Sequence, residues 1–293
     1  MNERPDILCI GSVLWDIIGR TDLPMIVGND KPGRITRLPG GVALNIAMTL
    51  VGQGLRPSLL SVVGDDAAGT ALLVECGRLG IGVEHVLVDH SLPTDQYMAI
   101  EAQGCLLAAL ADAHSLETAG ARILAPLETG ALASADAPWR GPMAIDGNLT
   151  LDLLSDIAAS PLFACADLRL APASPGKAER LRPFLSHPGA TIYVNAEEAG
   201  LIAGVETHCA ESGARALLLA GARRVLVTDG GRLAVDATPD RTLSLAPPTI
   251  TPRRVTGAGD TFMAAHIAAE IRGDAPQAAL THALGTAATF VAG

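Results

Sequence analysis

Short runs of Val, Ile and Leu alternate with longer alanine-rich stretches along most of this chain. An apolar run of four or five residues without polar alternation fits a strand buried on both faces, and apolar residues three and four apart fit the inward stripe of a helix. The pattern predicts core strands at Ile7 to Ile10, Leu59 to Val63, Met143 to Asp146, Leu168 to Ala171, Thr191 to Val194 and Val225 to Thr228. It predicts helices at Val42 to Val51, Ala67 to Leu79, Leu151 to Ala159, Ala178 to Leu185, Ala210 to Ala220, Thr261 to Ile271 and Gln277 to Val291. Strands and helices in alternation predict an α/β fold, a mostly parallel sheet wrapped by helices.

Two regions break the rhythm, Ser12 to Leu38 and about Thr94 to Asp112. In the second, Gln96 to Glu101 and Leu106 to Leu110 flank Gln103-Gly104, which predicts a hairpin. Two strand-like insertions that meet in space would form a small sheet covering one face of the main body, able to exclude water from a reacting centre. With no internal repeat and no Pro/Gly/Ser linker, the expectation is a single domain over residues 1–293 with this small lid.

Composition narrows the function. The 293 residues are 49% apolar, largely through alanine, and no run approaches the roughly 18 residues of a membrane span. Met1 to Asp6 runs directly into the Ile7 strand without a leader pattern, so a cytoplasmic location is expected. A net charge of −10 and no basic cluster weigh against a nucleic-acid polymer as partner, while a local turn still allows a free nucleotide. Cys9, Cys76, Cys105, Cys165 and Cys209 are scattered with no C-x-x-C pair and read as reduced thiols; the histidines show no zinc spacing.

The stretch richest in chemistry is Val255-Thr256-Gly257-Ala258-Gly259-Asp260-Thr261-Phe262, a glycine turn entering a helix. Gly257 and Gly259 let the backbone curl so that successive N–H groups converge, and the helix adds the positive end of its dipole. Such a turn holds an anion, phosphate above all. Asp260 would repel that ligand, but fits a general base beside a phosphoryl group. The plainer alternative is a turn with Asp260 capping the helix.

Near the N-terminus, Gly40-Gly41 precedes a helix whose Val42, Ile46 and Leu50 share a face; Asn45, off that face, is either free to bond a ligand or, more plainly, a surface residue after a tight turn. Asp16, an acid among apolar residues, needs partners if buried, and sugar hydroxyls are suitable ones. Asp65 or Asp66 reads as a helix cap. Asn195 and Glu198 follow a strand at its carboxyl end and share one helical face; they form either a capping box or a holder of hydrated Mg²⁺, two roles that are compatible. Asp229-Gly230-Gly231 ends another strand, where main-chain groups would meet a nucleotide or simply turn the chain into Leu233 to Val235. No P-loop motif is present. Lys177 is one of only two lysines against nineteen arginines, either solvated or on the nucleotide side.

The order of these signals is specific. Gly40-Gly41-x-x-x-Asn45, Gly64-Asp65-Asp66-x-x-Gly69, Asn195-x-x-Glu198 and Thr256-Gly257-Ala258-Gly259-Asp260 together resemble the PfkB, ribokinase-like family of sugar and nucleoside kinases, over nearly the whole chain. The resemblance implies a three-layer α/β/α fold with a β-lid. It matches Asp260 to the catalytic base, Gly257, Ala258 and Gly259 to the anion hole, and Asn195 and Glu198 to the motif that positions Mg²⁺ and phosphate. Thr228 and Gly230 match nucleotide-side positions, Asp16, Gly41 and Asn45 match hydroxyl-binding positions, and Asn148 falls at a sugar contact. Pro93 to Tyr97, Ala108 to Asp112, Asp146 to Leu149 and Ala173 to Ala178 are most similar to bacterial pseudouridine kinases, implying ATP as donor and a nucleoside 5′-hydroxyl as acceptor. Arg254 stands where potassium-activated relatives often carry an acid, which weighs against a monovalent-cation site. The chain ends at Gly293, soon after Phe290, so residues that close the adenine pocket in relatives are expected to be missing. Unpaired lid edges make a homodimer through the lid an expectation.

Overall fold

Strand β1 (Ile7–Ile10) is wholly buried, with Ile7 and Cys9 in one apolar cluster and Leu8 and Ile10 in another. Side chains alternate across a strand, so a strand apolar at every position needs cover on both faces. The computed structural model, which describes residues 4–293, supplies that cover.

After β1 the chain leaves the main sheet through β2 (Leu14–Thr21) and β3 (Arg34–Gly40), then returns by α1 (Val42–Gly52) to β4 (Pro57–Leu60). Short β5 (Val62–Gly64), α2 (Ala67–Arg78) and β6 (Leu87–Asp89) lead to the hairpin β7 (Gln96–Ala102) and β8 (Cys105–Asp112). Two short helices, α3 (His114–Ala119) and α4 (Ala125–Glu128), precede a regular alternation. It comprises β9 (Pro142–Asp146), α5 (Leu151–Ala159), β10 (Asp167–Ala171), β11 (Ala190–Asn195), α6 (Ala196–Ala203), α7 (Ala210–Leu219) and β12 (Arg224–Thr228). The hairpin β13 (Ala234–Thr238) and β14 (Arg241–Leu245) is followed by α8 (Ala258–Ile271) and α9 (Pro276–Ala292).

The main sheet has the order β14-β13-β12-β11-β10-β9-β1-β4. All pairings from β4 to β12 are parallel; β13 and β14 add an antiparallel edge. One face packs Leu8, Ile10, Ile145, Leu154, Leu170 and Phe184; the other packs Ile7, Leu44, Phe262, Met263 and Leu280 from α1, α8 and α9. This is the three-layer arrangement that the sequence predicts. Because the inner strands run the same way, their carboxyl ends gather at one edge, where open α/β sheets hold ligands.

The two irregular segments meet as a separate four-stranded sheet, β3-β2-β7-β8. Its centre is a parallel pairing of β2 with β7, 81 positions apart, with Asp16 opposite Tyr97. This small sheet is the lid. Asp66 ties its root to α2, accepting from the backbone of Gly69 and from both the backbone and hydroxyl of Thr94.

Local sequence misplaced several boundaries. The apolar run Leu59 to Val63 is two strands: β4 pairs with β1, whereas β5 pairs with β6 outside the main sheet. A continuous run marks burial but not a change of partner. The helix expected at Ala178 to Leu185 is a 3₁₀ stretch, Pro175–Phe184, with Pro183 inside it and unable to donate to a longer-period ladder. The last-but-one helix begins at Ala258 rather than Thr261, which puts Asp260 in its first turn. Helices α3 and α4 and strand β14 fall outside the predicted elements, being short or weakly periodic, while α6 begins at the predicted Asn195 cap.

Candidate active site

At the carboxyl edge of the sheet, Asn45 of α1, Asp146 of β9, Glu198 of α6 and Asp16 of β2 act on Asp260 at the mouth of α8. Gly257 caps that helix with φ 84°, a left-handed conformation, and a Cβ there would stand 3.1 Å from the Phe290 ring. The amide of Ala258 donates to Val255 O at 3.1 Å, and Thr261 closes the first helical bond to Gly257 O at 3.0 Å. Among the described residues, the amides of Gly257, Gly259 and Asp260 have no partner. The free donors at this helix mouth therefore differ by one residue from those expected, Asp260 N replacing Ala258 N.

The Asp260 carboxylate accepts from Asn45 Nδ2 at 2.9 Å. Burial pushes its pKa up to about 7; the Asn45 bond opposes that rise, while the charges of Asp146, Glu198 and Asp16 add to it. A carboxyl poised near neutrality, next to unpaired amides, can take a proton where negative charge also needs holding.

Asn45 reaches this position because α1 starts abruptly at Gly41. That residue has φ 99°, and a Cβ on it would fall 2.5 Å from Ser12 O. The first turn of α1 is pinned further when Val42 N donates to Ser12 Oγ at 2.9 Å. Gly40 ends β3 against the carboxylate of Asp16, which has no hydrogen-bond partner among the described residues. Burial raises the pKa of Asp16 to about 6. An unpartnered carboxylate in such a place calls for donors from a ligand.

A second network lies beneath. Asp146, fully buried at the end of β9, accepts from Ser12 N at 2.8 Å, from Ser12 Oγ, and from Asn148 N at 2.7 Å. Asn148 Nδ2 lies 3.1 Å from Ser12 Oγ and 3.3 Å from Asp146, and Asn148 Oδ1 accepts from Lys177 Nζ at 2.7 Å. The carboxamide of Asn148 is thus occupied on both sides. Lys177, read from sequence as solvated or on the nucleotide side, follows β10 and is tethered to the turn after β9 through Asn148.

Asn195 and Glu198 form a reciprocal capping box at the start of α6, each bond 2.9 Å. One oxygen of Glu198 is used by Asn195 N, and burial raises its pKa. Among the described residues no group of three or more His, Cys, Asp or Glu converges as a metal cluster. A hard cation here would rest mainly on nucleotide phosphates, with Glu198 the carboxylate free to reach it through water. Thr228 pairs with Asn195 across β11 and β12, and Gly230 follows in an open turn with φ 56°. Among the described residues no helix is long and apolar enough to cross a membrane.

Sequence reasoning missed Ser12 and Asp146 as site components. The available signal was an acid closing an otherwise apolar strand, which requires several donors once buried.

Comparison with known proteins places these features in context. The chain matches the description "pfkB family carbohydrate kinase" over residues 4–292. It is 32% identical over 126 residues to the pseudouridine kinase of Escherichia coli K12, covering 43% of this chain and 40% of that enzyme. The chain thus aligns with less than half the length of that curated relative. A solved carbohydrate kinase from Agrobacterium tumefaciens superposes with TM-score 0.79 at 25% identity, covering 96% of this chain and 89% of that one. Ribokinase of Arabidopsis thaliana, solved with ribose and ATP, has the same fold, with TM-score 0.77 at 18% identity over 99% and 93% of the two chains.

Proposed function

The chain belongs to the pfkB carbohydrate kinase family, and on that premise we propose that it transfers the terminal phosphoryl group of ATP to the 5′-hydroxyl of pseudouridine. The observation that carries the kinase reading is the raised carboxyl of Asp260, beside the unpaired amides of Gly257 and Gly259 and held by Asn45. The partial likeness to a pseudouridine kinase supports the choice of acceptor.

In this reading the substrate lies between lid and sheet edge. Asp16 accepts from its sugar hydroxyls, Gly40 and Gly41 allow close approach of the main chain, and Asn45 orients both ligand and base. Asn148 closes the floor beneath it. Asp260 takes the proton of the attacking hydroxyl as the new O–P bond forms and the bond to the ADP oxygen breaks. The amides of Gly257, Gly259 and Asp260 hold the charge on the moving phosphoryl group, a role in which preorganised donors contribute most of the rate gain. Asn195, Thr228, Gly230 and Lys177 face the nucleotide, and Mg²⁺ near Glu198 would neutralise its phosphates when bound. The reaction takes place in the cytoplasm, and a second copy of the chain covers the outer face of the lid.

A coupled ADP-release assay across pseudouridine, uridine, inosine, ribose and fructose tests the proposal. Pseudouridine is expected to give the highest kcat/KM. A ribose or fructose value equal to it would make this a sugar kinase of the same family, and a higher uridine or inosine value a conventional nucleoside kinase. Saturable binding without ADP release from any of the five would make it a ligand sensor.

A further inference from the structure

The inner face of the lid carries a side chain that the reading above leaves unused. β2 and β7 are paired in register, with Asp16 opposite Tyr97 and Ile18 opposite Ala99. Paired residues point to the same side of a sheet, so Asp16, Ile18, Tyr97 and Ala99 share one face. The alternation of exposure along β7 agrees: Met98 and Ile100 are exposed, whereas Tyr97 is half-buried and Ala99 buried. Leu38, opposite Asp16 on β3, completes this face.

Asp16 fixes which way the face looks. Its charge acts on Asp260 and also on Tyr97, whose phenol pKa is raised by burial and then by Asp16 and Glu101. Tyr97 therefore stands beside the carboxylate that looks toward Asp260. Other aromatic side chains of the chain are committed elsewhere. Trp15, Trp139, Phe163, Phe184, Tyr193 and Phe262 are buried, and Phe290 lies beneath the guanidinium of Arg254. Tyr97 is only half-buried, and its hydroxyl has no hydrogen-bond partner among the described residues.

We infer that Tyr97 is the specificity-determining residue of the lid, stacking on a flat heterocycle attached to the sugar that Asp16 holds, so that the site selects a nucleoside over a bare sugar. Apart from Asp16, the neighbours of the ring on this face are apolar, Ala111 opposite it on β8 and Ile18 and Ala99 one pair further along, and they fit the face of a base. Asp16 supplies the hydroxyl contact and Tyr97 the ring contact, from directly opposite positions on adjacent strands. The inference rests on the kinase reading and deepens it.

The test is calorimetric binding of pseudouridine, uridine and ribose to the wild type, Tyr97→Leu and Tyr97→Phe, with steady-state kinetics alongside. Stacking one base on an aromatic ring changes affinity by roughly 5- to 150-fold. Tyr97→Leu is expected to weaken both nucleosides by about tenfold or more while leaving ribose within about twofold, and to raise nucleoside KM much more than it lowers kcat. Tyr97→Phe, which keeps the ring, is expected to restore most of the affinity. Equal losses for ribose and nucleosides would reduce Tyr97 to a structural part of the lid and overturn the inference, as would unchanged nucleoside affinity in Tyr97→Leu. A wild type that binds ribose and neither nucleoside would overturn the choice of substrate as well; wild-type nucleoside binding with an inert Tyr97→Leu would overturn the role of Tyr97 alone.

Discussion

Asn45 Nδ2 donates to Asp260 Oδ2 at 2.9 Å, joining helices α1 and α8 across 215 positions of sequence. The bond fixes where the carboxylate points and lowers a pKa that burial and three neighbouring acids raise. Both consequences are measurable.

Replacing Asp260 by Asn preserves shape and removes the base proposed above. kcat is expected to fall by roughly 10² to 10⁴, the usual contribution of general-base catalysis, with ATP and nucleoside binding retained. In wild type, kcat/KM is expected to rise with pH up to about 7 and then level, because the unliganded carboxyl sheds its proton there. The stability sign follows the same proton. Folded Asp260 keeps it to about pH 7 while an unfolded chain releases it near 3.9, so stability falls as pH rises between those values. Asp260→Asn is therefore expected to melt higher than wild type at pH 8 and close to it near pH 4. A wild-type kcat in the variant would remove Asp260 from the chemistry.

Asn45→Leu deletes the one hydrogen bond that holds the Asp260 pKa down. The acidic limb of kcat/KM is expected to move to higher pH, with a loss of roughly tenfold at pH 7 that shrinks in alkaline buffer. A pH-independent loss would mean that Asn45 only positions the ligand.

Glu198→Gln separates two roles held by one side chain. Gln still accepts from Asn195 N, so the cap of α6 and the melting temperature are expected to survive. The Mg²⁺ concentration giving half-maximal rate is expected to rise by roughly 10- to 100-fold, as for other outer-shell partners of metals. An unchanged Mg²⁺ titration would leave Glu198 a cap alone.

The far end of α8 is anchored by charge. Glu270 bridges Arg169 on β10 and Arg224 on β12, both largely buried, and its own pKa falls to about 2 because these cations outweigh the cost of burial. Glu270→Ala leaves two buried guanidinium groups short of a partner and is expected to cost about 3 to 5 kcal/mol in urea denaturation. A loss below about 1 kcal/mol would show that Asp167 and Asp236 suffice for the two arginines.

The outer face of the lid exposes Ile35, Met98, Ile100 and Leu110. If a second copy covers it, Leu110→Arg is expected to turn a dimer into a monomer in sedimentation experiments. A monomeric wild type at micromolar concentration would dismiss the dimer.

Much was legible in the chain. Ile7 to Ile10 and Val225 to Val227 announced buried strands because every position is apolar, and the Gln103-Gly104 turn announced the β7–β8 hairpin. Asn195 and Glu198 announced their capping box because both partners lie within one helical turn. What sequence did not reveal was the split between β4 and β5, the Ser12–Asp146 network and the engaged carboxamide of Asn148. In each the partner lies tens to more than a hundred positions away, beyond the reach of local periodicity.

By itself the sequence determined the alternation of strand and helix, the glycine turn before Asp260 and the order of motifs that identifies the family, since all are written in neighbouring residues or in their succession. Only the tertiary structure decided that Asp260 would meet Asn45, that Asp16 would stand beside Tyr97, and that burial would move Asp260 toward neutrality. The reason is that a pKa and a contact depend on which distant atoms replace water around a group, and that exchange is settled when the elements pack.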